Sequence, residues 1–357
     1  MRAGVGIDPG LGLSRAQQRT LVQEAARLTF DSLWTPAGLT GRSIFHTCRE
    51  WWEGTLDIVP GGLTVGTSVI PVPGWSVPPL AAESATLSDL TGGKFNLGIG
   101  LGSYPAQSLR QQLALPLVSP IALTRDFLSP LRTLFAGESV DYDGAVVHLH
   151  GVKLGISAPP VPVYLAAMGP QMLRLAGALA NGVTPNWSSP EQIVWMREQV
   201  SQGARQADRD PAEVPFAQYI RVCVDENQDA ARRAFATQVL RYAMARPGQP
   251  KTLGYRAHFG RMGFEDILLE LEARRDAGTD IPELVDALPT ELLRTVGYFG
   301  PAAGAAAALG RLAQGLDEAM VRIITVRPGD LDACLNTVRA CAPENWARGT
   351  RSSARPA

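Results

Sequence analysis

Short apolar runs alternate with amphipathic stretches along most of the chain. AGVGI (3–7) reads as a strand. Behind it, Ser14 is the residue type that caps a helix, and Leu21, Val22, Ala25 and Leu28 follow at helical spacing. Further strand-like runs lie at 31–35, 62–70, 94–100, 160–167, 182–187, 216–225 and 319–326. Helical sequence separates them, at 78–90, 123–135 (with Pro130 inside), 169–182, 189–207 and 301–315. Eight strands alternating with helices predict an α/β fold, and the count favours a (β/α)8 TIM barrel over a doubly wound sheet. Two stretches break the rhythm. Residues 138–156 alternate polar and apolar around Asp143-Gly144, a hairpin signal. Residues 226–300 are partly helical with a Gly/Pro-rich break, and read as an insertion between strands seven and eight. The expectation is one domain over 1–342 and a polar, disordered tail over 343–357.

Composition narrows the partners. The 357 residues carry a net charge of −1, with 45% hydrophobic and 19% charged residues. No basic run marks a nucleic-acid or anionic membrane surface, and no apolar run is long enough for a transmembrane helix. The N-terminal sequence lacks a signal-peptide pattern, so a cytoplasmic location is expected. Cys48, Cys223, Cys334 and Cys341 are scattered without C-x-x-C spacing and read as reduced thiols. His148 and His150 share a strand face, but no third ligand is near in sequence, so no metal site is expected.

The candidate chemistry starts at FNLGIGLGSYP (95–105), where Gly98, Gly100 and Gly102 occupy alternate positions. A dinucleotide fingerprint requires G-x-G-x-x-G in the first βαβ unit, turning directly into a helix. Here the strand is the fourth and Pro105 follows, so that reading fails on context. Alternate glycines at a strand end clear side chains from one face, either for a flat ring approaching the backbone or for close packing.

Longer segments carry a resemblance. The stretch 66–103 resembles the third-to-fourth strand region of the bacterial-luciferase-like flavin and deazaflavin oxidoreductases. FLSPLRTLFAGESVDYDGAVVHLHGVKL looks like the family's next helix and hairpin. PVPVYLAAMGPQMLRLAGALANGV is similar to the corresponding run in the branch that uses coenzyme F420, and GPAAGAAAALGRLA matches the family's last helix. The resemblance spans roughly residues 3 to 340 and is weakest in 226–300. It implies a luciferase-like barrel that binds F420, a deazaflavin, and moves a hydride between its ring and an organic substrate, small-molecule or peptide-like. Reduction of C=C or C=N in a biosynthetic intermediate is the expected direction, and a homodimer the expected assembly. Ser68 and Val69 match a non-prolyl cis peptide that forms a bulge behind the ring. Gly100, Leu101, Gly102 and Ser103 match the turn beside the ring and ribityl chain, and Ala166, Ala167, Met168, Gly169 and Pro170 the phosphate-binding turn at a helix start.

The sequence also departs from that pattern. Related F420 enzymes carry Asp-His after the second strand's aromatic, where this chain has Ala37 and Gly38; a Glu found in some relatives is here Ser103. General-acid candidates are therefore Asp8, then Tyr104 and His46, although Asp8-Pro9 is equally a turn starter. Trp34, Trp51, Trp52 and Trp187 are candidates for the substrate pocket. Two other readings stay open: an FMN-dependent monooxygenase of the same family, and a cofactor-binding protein without catalysis.

Overall fold

The computed structural model describes residues 1–346 apart from 39, 103–106, 116 and 248. The chain forms an α/β fold in two compact units. One comprises 31–184 and 197–217; the other, the terminal unit, comprises 1–30, 185–196 and the stretch from Gln218 onward.

In the 31–184 unit, five parallel strands lie in the order Ser32–Thr35, Thr64–Thr67, Phe95–Gly100, Val163–Ala166 and Gly182–Thr184. The run 62–70, expected as one strand, is interrupted. The peptide between Ser68 and Val69 is cis, and Ile70–Pro71 resumes by pairing with Ile99 and Gly100. The helices between strands bury stripes at helical period. On Ile44–Thr55 the buried residues are Ile44, Phe45, Cys48, Trp51, Gly54 and Thr55. The helix Pro120–Phe135 runs on through Pro130 and carries the buried carboxylate of Asp126. Asp126 accepts from Tyr142 Oη at 2.9 Å and from Val146 N at 2.7 Å, which pins the tip of the predicted hairpin, Val140–Asp143 with His148–Val152.

In the terminal unit the strands lie in the order Gly297–Gly300, Ala217–Val224, Glu318–Ile323 and Arg2–Gly6. Arg2–Gly6 is parallel to Glu318–Ile323, and Gly297–Gly300 is parallel to Ala217–Val224. The strand Gly297–Gly300 is unforeseen in the sequence reading, where it fell inside the insertion. It pairs closely because Gly297 has no side chain; a Cβ there would lie 2.6 Å from the Arg221 carbonyl oxygen. The helix Arg15–Arg27 starts as expected at Ser14, with Gln17 completing a capping box. Most of 226–300 is helical, and Phe235, Val239, Phe259, Leu268, Leu271, Leu284 and Leu292 share a core with Trp187.

Residues 343–346, read as the start of a polar tail, are instead packed. Pro343–Asn345 form a 3-10 turn, and buried Trp346 donates from Nε1 to the Cys341 carbonyl at 2.8 Å. The four cysteines are buried and unpaired. Among the described residues, no helix is long and apolar enough to cross a membrane.

Candidate functional site

Parallel strands end together, and in α/β proteins ligands gather at that carboxyl edge. In the 31–184 unit the edge carries Thr35, Ser68, Gly100, Ala166 and Thr184. The Ser68 and Thr184 hydroxyls are 3.2 Å apart and buried. The cis segment is tied to the neighbouring strand end on both sides: Ser68 N donates to Thr35 O at 2.9 Å, and Ala37 N donates to Val69 O at 3.2 Å.

Of the two roles open to the glycines of 95–102, the structure displays close packing. A Cβ on Gly98 would overlap the Thr67 carbonyl oxygen. One on Gly100 would lie 2.9 Å from both Val69 Cγ2 and Ala166 Cβ, and one on Gly102 would lie 2.8 Å from Pro71 Cβ. The missing side chains therefore admit the chain's own 67–71 segment, and Gly102 also takes a left-handed φ of 56°. Leu101, between them, is partly exposed. Ser103 and Tyr104 lie outside the described residues.

The turn Ala166–Pro170 does present open backbone. Ala167 is buried, Met168 and Gly169 are half-exposed, and Pro170 is exposed. Gly169 caps the helix Pro170–Leu179 without any side-chain hydrogen bond, and a Cβ built on it meets nothing within 4 Å. Such an uncapped helix start offers backbone N–H donors to an anion.

The expected acids and the tryptophans are placed otherwise. Asp8 caps the 3-10 turn Pro9–Leu11, accepting from Gly10 N at 2.7 Å, and pairs with the buried Arg322 guanidinium. Burial pushes the Arg322 guanidinium down to about 10. His46 stands exposed on its helix, 3.2 Å from Glu50 one turn on.

Trp34, expected at the substrate pocket, is a core residue of the 31–184 unit. It is fully buried, donates to Ser32 Oγ at 2.8 Å and meets Tyr164 edge-on. Trp51 belongs to the buried stripe of its helix. Trp52 donates to the Gly61 carbonyl at 2.9 Å and packs under the turn at Gly62. Trp187 lies in the core of the terminal unit, 0% exposed, with φ at 56°.

Sequence reading missed a polar group beside Trp187. Arg221, buried on Ala217–Val224, donates from Nη1 to Asn186 Oδ1 at 2.6 Å, and Asn186 Nδ2 donates to Tyr255 Oη at 2.7 Å. The guanidinium lies 3.7 Å from the Trp187 ring centroid. The signal was available: an arginine inside the otherwise apolar run of YIRVCV has to be given a partner or a purpose.

Comparison with known proteins agrees with this placement of elements. The family model of luciferase-like monooxygenases matches residues 2–318. A 5,10-methylenetetrahydromethanopterin reductase of Methanolobus tindarius is 30% identical over 211 residues, covering 59% of this chain; the match spans 62% of that protein's length. The structure of a coenzyme F420 dependent tetrahydromethanopterin reductase from Methanopyrus kandleri superposes with a TM-score of 0.74 at 19% identity, covering 96% of this chain and 99% of that one. An F420-dependent secondary alcohol dehydrogenase, in complex with an F420-acetone adduct, gives a TM-score of 0.70 at 16% identity, covering 97% and 98%. Both likenesses show a shared fold.

Proposed function

Because the chain belongs to the luciferase-like monooxygenase family, we propose that it is an F420-dependent oxidoreductase that delivers hydride to a C=N bond of an organic substrate. The observation that carries the reading is the carboxyl edge of the 31–184 unit. There the segment around Ser68–Val69, held by Gly98 and Gly100, stands beside an uncapped helix start at Gly169. The residues fit a cofactor with a planar ring and a phosphate-bearing tail. The open helix start would take the phosphate through the backbone N–H groups of Gly169 and of Gln171 and Met172, Pro170 having none, and the edge at Ser68, Val69, Gly100 and Leu101 would take the ring.

When bound, F420 supplies hydride transfer with little reactivity toward oxygen. The chain's own residues do the rest. The buried hydroxyls of Ser68 and Thr184 hydrogen-bond each other, which leaves one O–H of the pair to donate at the edge. Thr35 and Ala37 brace the cis segment through backbone hydrogen bonds. The chain places Ala37 and Gly38 where related enzymes have Asp-His, so it brings no imidazole or carboxylate acid there. A cationic C=N⁺ suits that composition, since it accepts a hydride to give a neutral amine with no proton needed. A C=C bond would require a donor. The matched relative's name, a methylene-pterin reductase, points to the same substrate chemistry.

The test is a tryptophan-quenching titration of the purified protein with F420, FMN and NADPH in parallel, followed by turnover of iminium substrates with reduced F420. Saturable binding of F420 alone, with turnover, is expected. Tight FMN binding without F420 binding would move the chain to the monooxygenase reading. F420 binding without turnover on any substrate would leave a binding protein.

A further inference from the structure

We propose that the Ser68–Thr184 hydroxyl pair acts as a relay that donates one hydrogen bond to a ring carbonyl of bound F420 and so raises its reduction potential. The inference deepens the F420 reading above and rests on it. Every residue it uses lies in the 31–184 unit.

Glycines and aromatics on neighbouring strands fix where these hydroxyls stand. In register, Trp34 is opposite Gly66, and Tyr164 is opposite both Gly98 and Gly182. A Cβ on Gly66 would lie 2.6 Å from the Trp34 ring, and one on Gly182 would overlap the Tyr164 ring. The two rings meet edge-on, centroids 5.7 Å apart, and fill that face of the strands as one layer. Residues two further along a strand stand on the same face. Ser68, Gly100, Ala166 and Thr184 therefore make the next layer toward the carboxyl edge, and none of them is larger than threonine. Here the face opens: Ala166 is partly exposed, and so are Val69, Leu101 and Met168 just beyond it.

A count of hydrogens shows what the pair has to offer. The two oxygens are 3.2 Å apart, and each hydroxyl carries one hydrogen. Only one hydrogen can lie between them, so the other O–H points elsewhere. Among the described residues, neither hydroxyl has a second hydrogen-bond partner. Ser68 is 9% exposed and Thr184 4%, and a donor so buried is costly to leave without an acceptor. Ser68 is the more exposed of the two and adjoins the open Val69. Thr184 is therefore assigned as donor to Ser68, and Ser68 as donor toward the edge.

The surroundings select the acceptor. One neutral donor beside the aliphatic side chains of Val69 and Ala166 suits an oxygen on a flat, mainly apolar body. A phosphate calls for several donors or a cation. The carbonyls of a deazaflavin ring are such oxygens. Hydride addition brings the ring a hydrogen with both electrons of its bond, and the added negative charge spreads to those carbonyls. A hydrogen bond to a charged acceptor is about twice as strong as one to a neutral acceptor. The Ser68 O–H thus holds the reduced ring more firmly than the oxidised one.

The test titrates the purified protein with oxidised and with reduced F420, and measures the potential of the bound cofactor against a redox dye. Ser68→Ala is expected to weaken reduced F420 about tenfold more than oxidised F420, which lowers the potential of this two-electron couple by about 30 mV. Thr184→Val leaves the Ser68 O–H in place and should shift the potential the same way by less; it also tests the pair if Ser68→Ala fails to fold. Thr184→Ser, which restores the hydroxyl, should restore the potential. Equal weakening of both forms, or an unchanged potential in both Ser68→Ala and Thr184→Val, overturns the proposal and leaves the F420 reading standing. A wild-type protein that binds neither form of F420 overturns both.

Discussion

Two glycines of this chain are glycines for opposite reasons, and one substitution in each separates them. At Gly98 a methyl would overlap the Thr67 carbonyl, backbone against backbone, with no flexible atom to yield. Gly98→Ala should therefore cost at least about 3 kcal/mol, beyond ordinary overpacking because neither strand can move without breaking its pairing. At Gly169 the methyl meets nothing within 4 Å, and the backbone, at φ −92° and ψ 154°, is open to any residue. Gly169→Ala should leave stability within about 0.5 kcal/mol while weakening F420 binding, because the methyl projects where backbone approach is needed. Urea midpoints and F420 titrations of both variants check the pair. A stable Gly98→Ala would return the strand glycines to the ligand, and unaltered F420 affinity in Gly169→Ala would take the phosphate turn away from it.

Elements show how much the sequence could tell and where it stopped. Long strands such as Ala217–Val224 and Glu318–Ile323 were legible because burial on both faces leaves a mainly apolar run, which Arg221 and Arg322 interrupt without hiding it. Gly297–Gly300 was not, since a four-residue strand with strand-depleted glycine at both ends leaves only Tyr298 and Phe299 to signal it, too few for a period. Its pairing is set by contact with a distant strand. The glycine motif left two readings open, a ring against the backbone or close packing, because a sequence shows that side chains are missing but not what fills the space; at Gly98, Gly100 and Gly102 the 67–71 segment fills it.

The helix Gly254–Phe259 adds a property no pattern predicts. Its His258 is 0% exposed, with Nε2 3.0 Å from the Trp187 carbonyl and 3.3 Å from Ser188 Oγ. Burial pushes its imidazole from 6.5 down to about 4, with the Trp187 carbonyl opposing that shift. Between these values the unfolded chain binds a proton that the native one refuses, so stability rises with pH through the window and is lost on acidification. Denaturant unfolding at intervals from pH 4 to pH 7 should show that slope. His258→Gln should flatten it, and an unchanged slope would assign the acid sensitivity elsewhere.

For the molecule as a whole, fold alone does not choose the chemistry. The family that matches residues 2–318 is named for monooxygenases, while structures with the same fold include an F420-dependent reductase and an F420-dependent alcohol dehydrogenase. The two chemistries part at oxygen. A reduced flavin that oxygenates needs O2 as a co-substrate, whereas hydride delivery by a reduced deazaflavin does not. With an iminium substrate and reduced F420, the rate should therefore be the same in air-saturated and anaerobic buffer, with one oxidised F420 formed per amine produced. It should also lack the bell-shaped pH profile of an acid–base pair at the ring, because Ala37 and Gly38 bring no titrating side chain there. A rate that collapses when oxygen is removed would place the chain with the monooxygenases. An oxygen-independent rate that climbs or falls through a histidine-like pKa would keep the deazaflavin assignment but demand a proton donor from elsewhere in the chain.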